Sequence, residues 1–187
     1  MKINFKEFIK PIVVLTLIAA VMTALLSGTN LITKDKISVL SQQAEKEAVQ
    51  KVISAENYEK ATLDEYTYFT AKNKNGETVG YAFSVSGTGY GGAVKTVVGI
   101  DYTGTVTAVE VTDVSNETPG LGQNAKNPDF AKGFAGKSEP VSVVKNGPKE
   151  NEVLAVTGAT ITSTAVAKSV NTALELFEKV EKAGGTK

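Results

Sequence analysis

The stretch YTYFTAKNKNGETVGYAFSV, residues 66–85, decides the fold. Aromatic and β-branched residues concentrate at its two ends, and such residues favour the extended backbone of a strand. Asn75-Gly76 stands between the ends, and this dipeptide is typical of a tight turn that joins antiparallel strands. We therefore predict a hairpin with strands at 66–70 and 81–85.

The residues that follow repeat this pattern and then change to helical spacing. Residues 94–100 and 105–111 predict two more strands around a turn at 101–104. Over residues 164–182, apolar side chains recur every three or four positions, as on the buried face of a helix. The chain is therefore predicted to be of the α+β class, with an antiparallel sheet and flanking helices.

Ahead of the sheet lies a stretch that fits a membrane. Residues 11–33 contain no charged side chain, and about 20 apolar residues suffice to cross the hydrocarbon core of a bilayer. A cleaved signal peptide is the alternative, although its apolar region is usually shorter. We predict a membrane anchor at 1–34, followed by one domain at 35–187 that begins with a helical stalk at about 36–55. Lysines ahead of the span favour a cytoplasmic N-terminus.

The composition excludes several kinds of chemistry. The chain has 187 residues with no cysteine and no histidine, which removes thiolate nucleophiles, iron–sulfur ligands, the usual zinc ligands and the usual near-neutral general base. Lysine plus arginine and aspartate plus glutamate each total 20, so no broad positive surface is available for nucleic acid. We predict no metal site, no nucleic-acid partner and no catalytic residue. A redox role would require an organic cofactor.

Residues 87–92, GTGYGG, match the G-x-G-x-x-G pattern of dinucleotide-binding folds letter for letter. That pattern needs a helix directly after the glycines, whereas residues 94–100 are predicted as a strand. A dinucleotide site is therefore not expected. The glycines are expected instead to allow a turn with positive φ, or to let a partner or a cofactor ring approach the backbone closely.

A hydroxyl-rich segment, TGATITST at residues 157–164, stands at the start of the last predicted helix. One hydroxyl at the N-cap satisfies an amide and contributes about 1 kcal/mol, but capping accounts for only one of the five hydroxyls. A phosphate site accounts for more of them, because the first amides of a helix and its dipole attract an anion. Both interpretations stay open from the residues alone. No lysine follows Gly158, which excludes a Walker-type triphosphate loop.

The same segment resembles the flavin-attachment motif of a known family. Thr157-Gly158-Ala159-Thr160, followed by Ile161-Thr162-Ser163, is similar to the motif of the FMN-binding domains in the G subunit of the Rnf electron-transport complex and in the C subunit of the sodium-pumping NADH:quinone oxidoreductase. The blocks GYGG at 89–92, VGID at 98–101 and ETPGLG at 117–122 stand in the order and rough spacing of the Rnf protein. The similarity extends over nearly the whole chain.

The resemblance implies that a separate FMN transferase joins the phosphate of flavin mononucleotide (FMN) to the side-chain oxygen of Thr160 through an ester bond. It also implies a set of cofactor-binding residues, namely Thr157, Gly158, Ala159 and Thr162 in the motif, and Glu117, Thr118, Leu121 and Tyr90 beside the isoalloxazine ring. From the residues alone, 117–122 is equally typical of a tight Pro-Gly surface turn. Many members of the family carry an acidic residue six positions before the acceptor, where this chain has Leu154, and Glu152 is the candidate substitute.

The implied function is electron transfer through covalent FMN, as the flavoprotein subunit of a membrane-bound, ion-translocating oxidoreductase complex. The implied partners are the other subunits of that complex, the FMN transferase and the membrane lipid around the anchor. The flavin domain would lie outside the cytoplasm. Two alternatives remain at this point: a stand-alone membrane-anchored FMN carrier in extracytoplasmic electron transfer, and a cofactor-free tethered binding or scaffold domain.

Overall fold

The structure is a computed structural model that describes residues 5–184, with side chains described for residues 9–182. The elements in chain order are α1 (Phe5–Val52), β1 (Asn57–Leu63), β2 (Tyr66–Lys72), β3 (Thr78–Thr88), β4 (Ala93–Asp101), β5 (Val106–Asp113), a 3₁₀ helix (Gly122–Lys126), α2 (Pro128–Lys132), β6 (Ser142–Val144), β7 (Glu152–Leu154) and α3 (Thr160–Gly184). The predicted α+β class with a membrane-type N-terminal helix is confirmed.

The predicted anchor and stalk are two parts of one continuous helix, α1. Its apolar stretch is long and hydrophobic enough to cross a membrane, and the large side chains there are exposed. The chain divides into two compact units between Gln43 and Ala44. The predicted boundary between residues 34 and 35 stays a prediction. Helix α1 ends at Val52, three residues before the predicted end of the stalk.

The main sheet has five strands in the order β1-β2-β3-β4-β5, and each strand is antiparallel to its neighbours. The predicted hairpin is present between β2 and β3, with Tyr68 opposite Phe83. Gly76 adopts a φ of 82° in its turn, a conformation that glycine reaches without steric cost. The strand β1 was not predicted, because its residues lack the aromatic and β-branched run that identified the others.

Each face of the sheet buries its own cluster of apolar side chains. One face packs against α3, and its core includes Phe83, Val98, Val166 and Val170. The opposite face packs against the last turns of α1, in the part of that helix after Ala44. Alternation of side chains along each strand supplies both faces, since successive residues point to opposite sides.

Helix α3 begins at Thr160, four residues before its predicted start, so most of the hydroxyl-rich segment is helical. Gly158 adopts a φ of 75° in the turn that leads into the helix. Two short strands, β6 and β7, pair in parallel immediately before this turn. The packing of α3 on the sheet therefore fixes where the segment lies.

Candidate functional site

A cleft of about 540 Å³ lies beside the first turn of α3. Its volume falls within the roughly 300–1,000 Å³ that small-molecule sites occupy. Eight of the nine predicted site residues line it, namely Tyr90, Glu117, Thr118, Leu121, Gly158, Ala159, Thr160 and Thr162. Three separate segments of the chain therefore meet where the sequence predicted one site.

Two residues that sequence reasoning missed, Gly122 and Ile161, also line the cleft. Ile161 is an exposed apolar residue in the first turn of α3, and that exposure is not visible in the sequence. The predicted residue Thr157 lies outside the cleft and lines a neighbouring cavity of about 770 Å³. We place the site in the smaller cleft because it contains Thr160 and the other motif residues.

Three of the five hydroxyls in the segment are engaged in holding the fold. Thr162 donates to the carboxylate of Glu117 at 2.5 Å, Ser163 donates to the carbonyl of Ala159 at 2.9 Å, and Thr164 donates to the carbonyl of Thr160 at 2.8 Å. Ser163 also accepts the amide of Val156 at 3.0 Å. The capping interpretation was thus too narrow, because one hydroxyl is needed for a tertiary contact and two for local backbone groups.

The hydroxyl of Thr160 has no hydrogen-bond partner among residues 9–182, and its side chain is half-buried at the edge of the cleft. The residue before it is Ala159, which has no side-chain acceptor for the first amides of α3, and the first turn carries no acidic residue. An anion bonded to Thr160 would face those amides and the positive end of the helix dipole. The start of α3 therefore provides a local environment that favours an anion.

Glu117 is the single charged side chain that lines the cleft within the described part of the chain, and only 3% of it is exposed. Besides the bond from Thr162, its carboxylate accepts the amide of Gly91 at 2.9 Å. Glu117, in the loop after β5, therefore connects that loop to the β3–β4 loop and to the first turn of α3. This connecting role was not predicted, and its predicted contact with a flavin ring stays a prediction.

The ionisation of Glu117 reflects two opposed effects. Burial disfavours the charged form and by itself would raise the pKa of the carboxyl group. Hydrogen bonds from Thr162 and from the backbone of the β3–β4 loop act in the other direction and outweigh burial, so the pKa lies below its ordinary value. The cleft consequently contains a carboxylate that stays ionised at neutral pH.

The hydroxyl of Thr162 is already held by Glu117, and Thr162 is only 1% exposed. Direct contact between this hydroxyl and a cofactor therefore stays a prediction that the geometry does not support. Tyr90, in contrast, is 73% exposed at the rim of the cleft, and Leu121 is also exposed there. These two side chains, with Ile161, offer apolar surface to a flat ring.

The predicted positive φ at the glycines of residues 87–92 is wrong, and close approach of a partner or a cofactor ring stays a prediction. None of Gly87, Gly89, Gly91 and Gly92 has a positive φ, and β4 begins at Ala93 where a dinucleotide site would need a helix. The close approach is made by the chain itself. A Cβ atom at Gly91 would overlap the carbonyl oxygen of Asn116, and one at Gly89 would overlap the Glu117 carboxylate.

The residues after Glu117 form the expected Pro-Gly turn. The amide of Leu121 bonds to the carbonyl of Thr118 at 3.2 Å, and Gly120 has a φ of 75°, as the third residue of a type II turn requires. Leu121 then lies against Gly158, where a Cβ atom would approach its Cδ2 to 2.8 Å. The turn interpretation and the site interpretation are therefore compatible.

Upstream of the motif, Leu154 is exposed at the end of β7, in the neighbouring cavity rather than in the cleft. The candidate substitute, Glu152, accepts the amide of Lys149 at 2.9 Å. Its carboxylate therefore stabilises a local turn. Substitution of Glu152 for the missing acidic residue stays a prediction.

Comparison with known proteins identifies both parts of the chain. Residues 89–175 match the family described as FMN-binding domain, and residues 1–52 match the family described as RnfG N-terminal region. The G subunit of the Na(+)-translocating ferredoxin:NAD(+) oxidoreductase complex from Acetobacterium woodii is 34% identical, and the alignment covers 97% of each chain. The G subunit of the ion-translocating oxidoreductase complex from Methanosarcina acetivorans is 32% identical, with 94% of this chain and 97% of the relative covered.

Solved structures agree on the fold. The C subunit of the Na(+)-translocating NADH-quinone reductase from Parabacteroides distasonis superposes with a TM-score of 0.51 at 28% identity, over 61% of each chain. Shewanella oneidensis NqrC superposes with a TM-score of 0.56 at 22% identity, over 71% of this chain and 72% of that one, which is evidence for the fold alone. Family matches cover both ends of the chain, and the two relatives exceed 30% identity over nearly their whole length. The chain therefore belongs to the RnfG family, the G subunits of Rnf-type ion-translocating oxidoreductase complexes, and it contains an FMN-binding domain.

Proposed function

We propose that this chain carries FMN covalently on Thr160 and transfers electrons as one subunit of a membrane-bound, ion-translocating oxidoreductase complex. Its relatives are named as subunits of complexes that translocate ions. The FMN-binding domain match covers the three segments that form the cleft, from Gly89 to the middle of α3. The names of the relatives specify neither the residue nor the bond that holds the flavin, and we propose an ester between the FMN phosphate and Thr160.

The observation that carries the proposal is the free hydroxyl of Thr160 beside the cleft. The hydroxyls of Thr162, Ser163 and Thr164 are engaged in hydrogen bonds, and Thr157 opens into the neighbouring cavity. Thr160 alone among the five combines a free hydroxyl with a position on the cleft. A phosphate ester at its Oγ1 would leave the rest of the FMN within reach of the cleft.

The residues that line the cleft fit the flavin that the ester would hold there. Bound FMN supplies electron transfer in steps of one or two electrons. The exposed surfaces of Tyr90, Leu121 and Ile161 would cover the faces and edges of the ring and limit its contact with water. Glu117 keeps a fixed negative charge in the wall of the cleft, which disfavours extra negative charge on a ring beside it.

Maturation requires a separate FMN transferase. A threonine hydroxyl is a poor nucleophile unless a base activates it, and the sequence contains neither histidine nor cysteine. The transferase would supply the base that takes the proton from Thr160 Oγ1 and would bind a donor in which the FMN phosphate is activated as a phosphoanhydride. The new bond from Thr160 Oγ1 to phosphorus forms as the phosphoanhydride bond breaks, and the remaining phosphate part of the donor departs as the leaving group. Exposure of the segment around Thr157 and Ile161 leaves the acceptor accessible to such a partner.

The membrane helix completes the proposal. The helix is long and apolar enough to cross a bilayer, so membrane lipid would surround it, and lysines ahead of the span favour a cytoplasmic N-terminus. The FMN-binding domain would then lie outside the cytoplasm, close to the other subunits. A covalent bond would prevent loss of the cofactor on that side of the membrane.

The proposal is tested by expression of the full chain together with an FMN transferase. The wild-type chain should gain the mass of FMN less one water and fluoresce after denaturing electrophoresis. Thr160→Ala should show neither signal, because the acceptor oxygen is absent. Thr157→Ala is the matched control and should remain labelled, and Thr160→Ser should keep a measurable share of the label because its hydroxyl remains.

Two results would contradict the proposal. A wild-type chain without added mass would favour the cofactor-free scaffold domain, and full labelling of Thr160→Ala would place the flavin on another residue. Purification from native membranes separates the remaining alternative. Recovery with several integral membrane proteins supports a subunit of a complex, whereas recovery of a labelled chain alone supports the stand-alone carrier.

A further inference from the structure

A second, smaller concavity lies on the other side of Thr160. This groove has a volume of about 180 Å³ and is lined by Thr88, Thr160, Ile161, Thr164, Ala165 and Lys168. Thr160 and Ile161 also line the cleft, so the acceptor residue stands between the two spaces. Thr160 is the one residue of this groove that belongs to the predicted site.

The groove exists because β3 and α3 approach each other very closely at Gly87. A Cβ atom there would overlap the carbonyl oxygen of Ala165. The absence of a side chain at Gly87 brings the next residue, Thr88, alongside the helix and creates one wall of the groove. The first glycine of the G-x-G-x-x-G match therefore shapes a space beside Thr160.

Lys168 is the cation of the groove. It is exposed and forms no ion pair or hydrogen bond with the described residues. Thr160, Thr164 and Lys168 are four residues apart, so they lie on one face of α3. Lys168 is about 12 Å along the axis from Thr160, and Cα–Cβ bonds in a helix tilt toward its N-terminus, so an extended lysine side chain can reach back toward Thr160.

The cleft and the groove differ in charge and in size, so they suit different parts of a flavin cofactor. The cleft contains the Glu117 carboxylate and no cation among the residues that line it, so it repels a phosphate. The groove contains Lys168 and no carboxylate, so it attracts one. At about 180 Å³ the groove lies below the roughly 300–1,000 Å³ of a small-molecule site, whereas the cleft lies within that range.

We infer that the groove of Thr88, Thr164 and Lys168 is the phosphoryl subsite of the flavin that Thr160 carries, with Lys168 as the positioning residue. The inference rests on the proposed covalent attachment. In that linkage the phosphate is esterified to both the ribityl chain and Thr160, and its remaining acidic oxygen carries a single negative charge. Lys168 neutralises this charge and turns the phosphoryl oxygens away from Glu117, which leaves the ring on the side of the cleft.

The test uses the full chain labelled by an FMN transferase, with Lys168→Met as the main variant. Methionine keeps most of the apolar stem and removes the charge. Lys168→Arg restores a cation, and Lys182→Met, on the same helix but beside Glu178, is the matched control. Initial rates of labelling are measured with limiting transferase, and the phosphorus resonance of the attached phosphate is recorded by ³¹P NMR on the fully labelled chains.

We expect Lys168→Met to slow labelling about two- to fivefold, the range that a single partly exposed charge contact supports, and to shift the phosphorus resonance. Lys168→Arg should recover both values, and Lys182→Met should match the wild type. Slower labelling with an unchanged resonance would overturn the inference, because Lys168 would then contact the transferase instead of the phosphate. An unchanged rate and resonance would overturn it as well.

Failure of this inference can be told apart from failure of the proposed function. If Thr160→Ala is still labelled, the attachment residue itself is wrong. If labelling depends on Thr160 while Lys168→Met behaves as the wild type, only the phosphoryl subsite is wrong. Thermal unfolding of each variant establishes that the fold is retained, and Lys168→Gln serves as a second neutral variant.

Discussion

At Glu117, burial and hydrogen bonding act in opposite directions on one carboxylate. Desolvation favours the neutral acid, whereas donors from Thr162 and the Gly91 amide favour the ion. Because the pKa in the folded chain lies below that of the unfolded chain, ionised Glu117 stabilises the fold. This contribution is present above the unfolded pKa of about 4.3 and is lost as the pH falls through the folded pKa.

Glu117→Gln should lower stability at pH 7 by about 1–2 kcal/mol. The amide of glutamine can accept from Thr162 with its oxygen, but its NH₂ group cannot accept the Gly91 amide. Thermal unfolding of the detergent-solubilised full chain should show a Tm about 2–8 °C lower than that of the wild type. The difference should shrink as the pH falls below the ordinary glutamate pKa of about 4.3 and through the lower pKa of folded Glu117, where the wild-type carboxylate becomes protonated.

Glu178→Gln is the control for this measurement, because Glu178 is exposed and, among residues 9–182, forms an ion pair only with Lys182 four residues away. A surface pair of that kind contributes little, so its Tm should stay close to that of the wild type. A Glu117→Gln chain as stable as the wild type at pH 7 would show that the carboxylate does not hold the three segments together.

At the scale of elements, the wall of the cleft depends on two loops that pack backbone against backbone. The β3–β4 loop meets the loop after β5 at Asn116. A Cβ atom at Gly91 would overlap the Asn116 carbonyl oxygen, whereas one at Gly92 would lie 2.9 Å from Asn116 Cβ and 3.0 Å from its Nδ2. Neighbouring glycines thus face different parts of the same residue.

Gly91→Ala and Gly92→Ala should each destabilise the chain by about 1–3 kcal/mol, the usual cost of overpacking. Removal of the Asn116 side chain should distinguish the two variants, because only the Cβ atom at position 92 would meet that side chain. In double-mutant cycles with Asn116→Gly, the Gly92→Ala effect should largely disappear, and the Gly91→Ala effect should remain because the carbonyl remains. If Asn116→Gly removed the destabilising effects of Gly91→Ala and Gly92→Ala equally in unfolding measurements, this packing would be contradicted.

The sequence was a good guide to elements whose period and turns are local. The hairpin around Asn75-Gly76 and the strands before and after residues 101–104 could be predicted because side-chain alternation and turn chemistry are written in neighbouring residues. The early start of α3 could not, because threonines are neutral or poor helix formers and only packing on the sheet makes that turn helical.

The site was predictable as a set of residues but not as a set of contacts. Resemblance brought Thr160, Glu117 and Tyr90 together, and the fold places all three on one cleft. The hydrogen bond between Glu117 and Thr162 joins residues 45 positions apart, and no local pattern indicates it. The close approach of the Gly91 backbone to the carbonyl group of Asn116 is likewise a property of two loops that meet only after folding.

At the scale of the whole molecule, the absence of cysteine allows a direct test of orientation. Single cysteines introduced as Lys6→Cys and Glu178→Cys would be the sole thiols of their chains. In cells whose cytoplasmic membrane is intact, a membrane-impermeant maleimide should label Glu178→Cys at once and Lys6→Cys only after permeabilisation. The reverse pattern would contradict the proposed orientation, because it would place the FMN-binding domain in the cytoplasm.

The hydrogen bonds of the hydroxyl-rich segment also determine which of its hydroxyls stay available after folding. In the unfolded chain, all five of its hydroxyls are open to any enzyme that modifies threonine or serine. Once the domain has folded, Thr162, Ser163 and Thr164 donate to internal acceptors, and modification of any of these hydroxyls would break the hydrogen bond that it donates. If Thr160 carries the flavin as proposed, attachment restricted to that residue requires that the domain folds before the transferase acts.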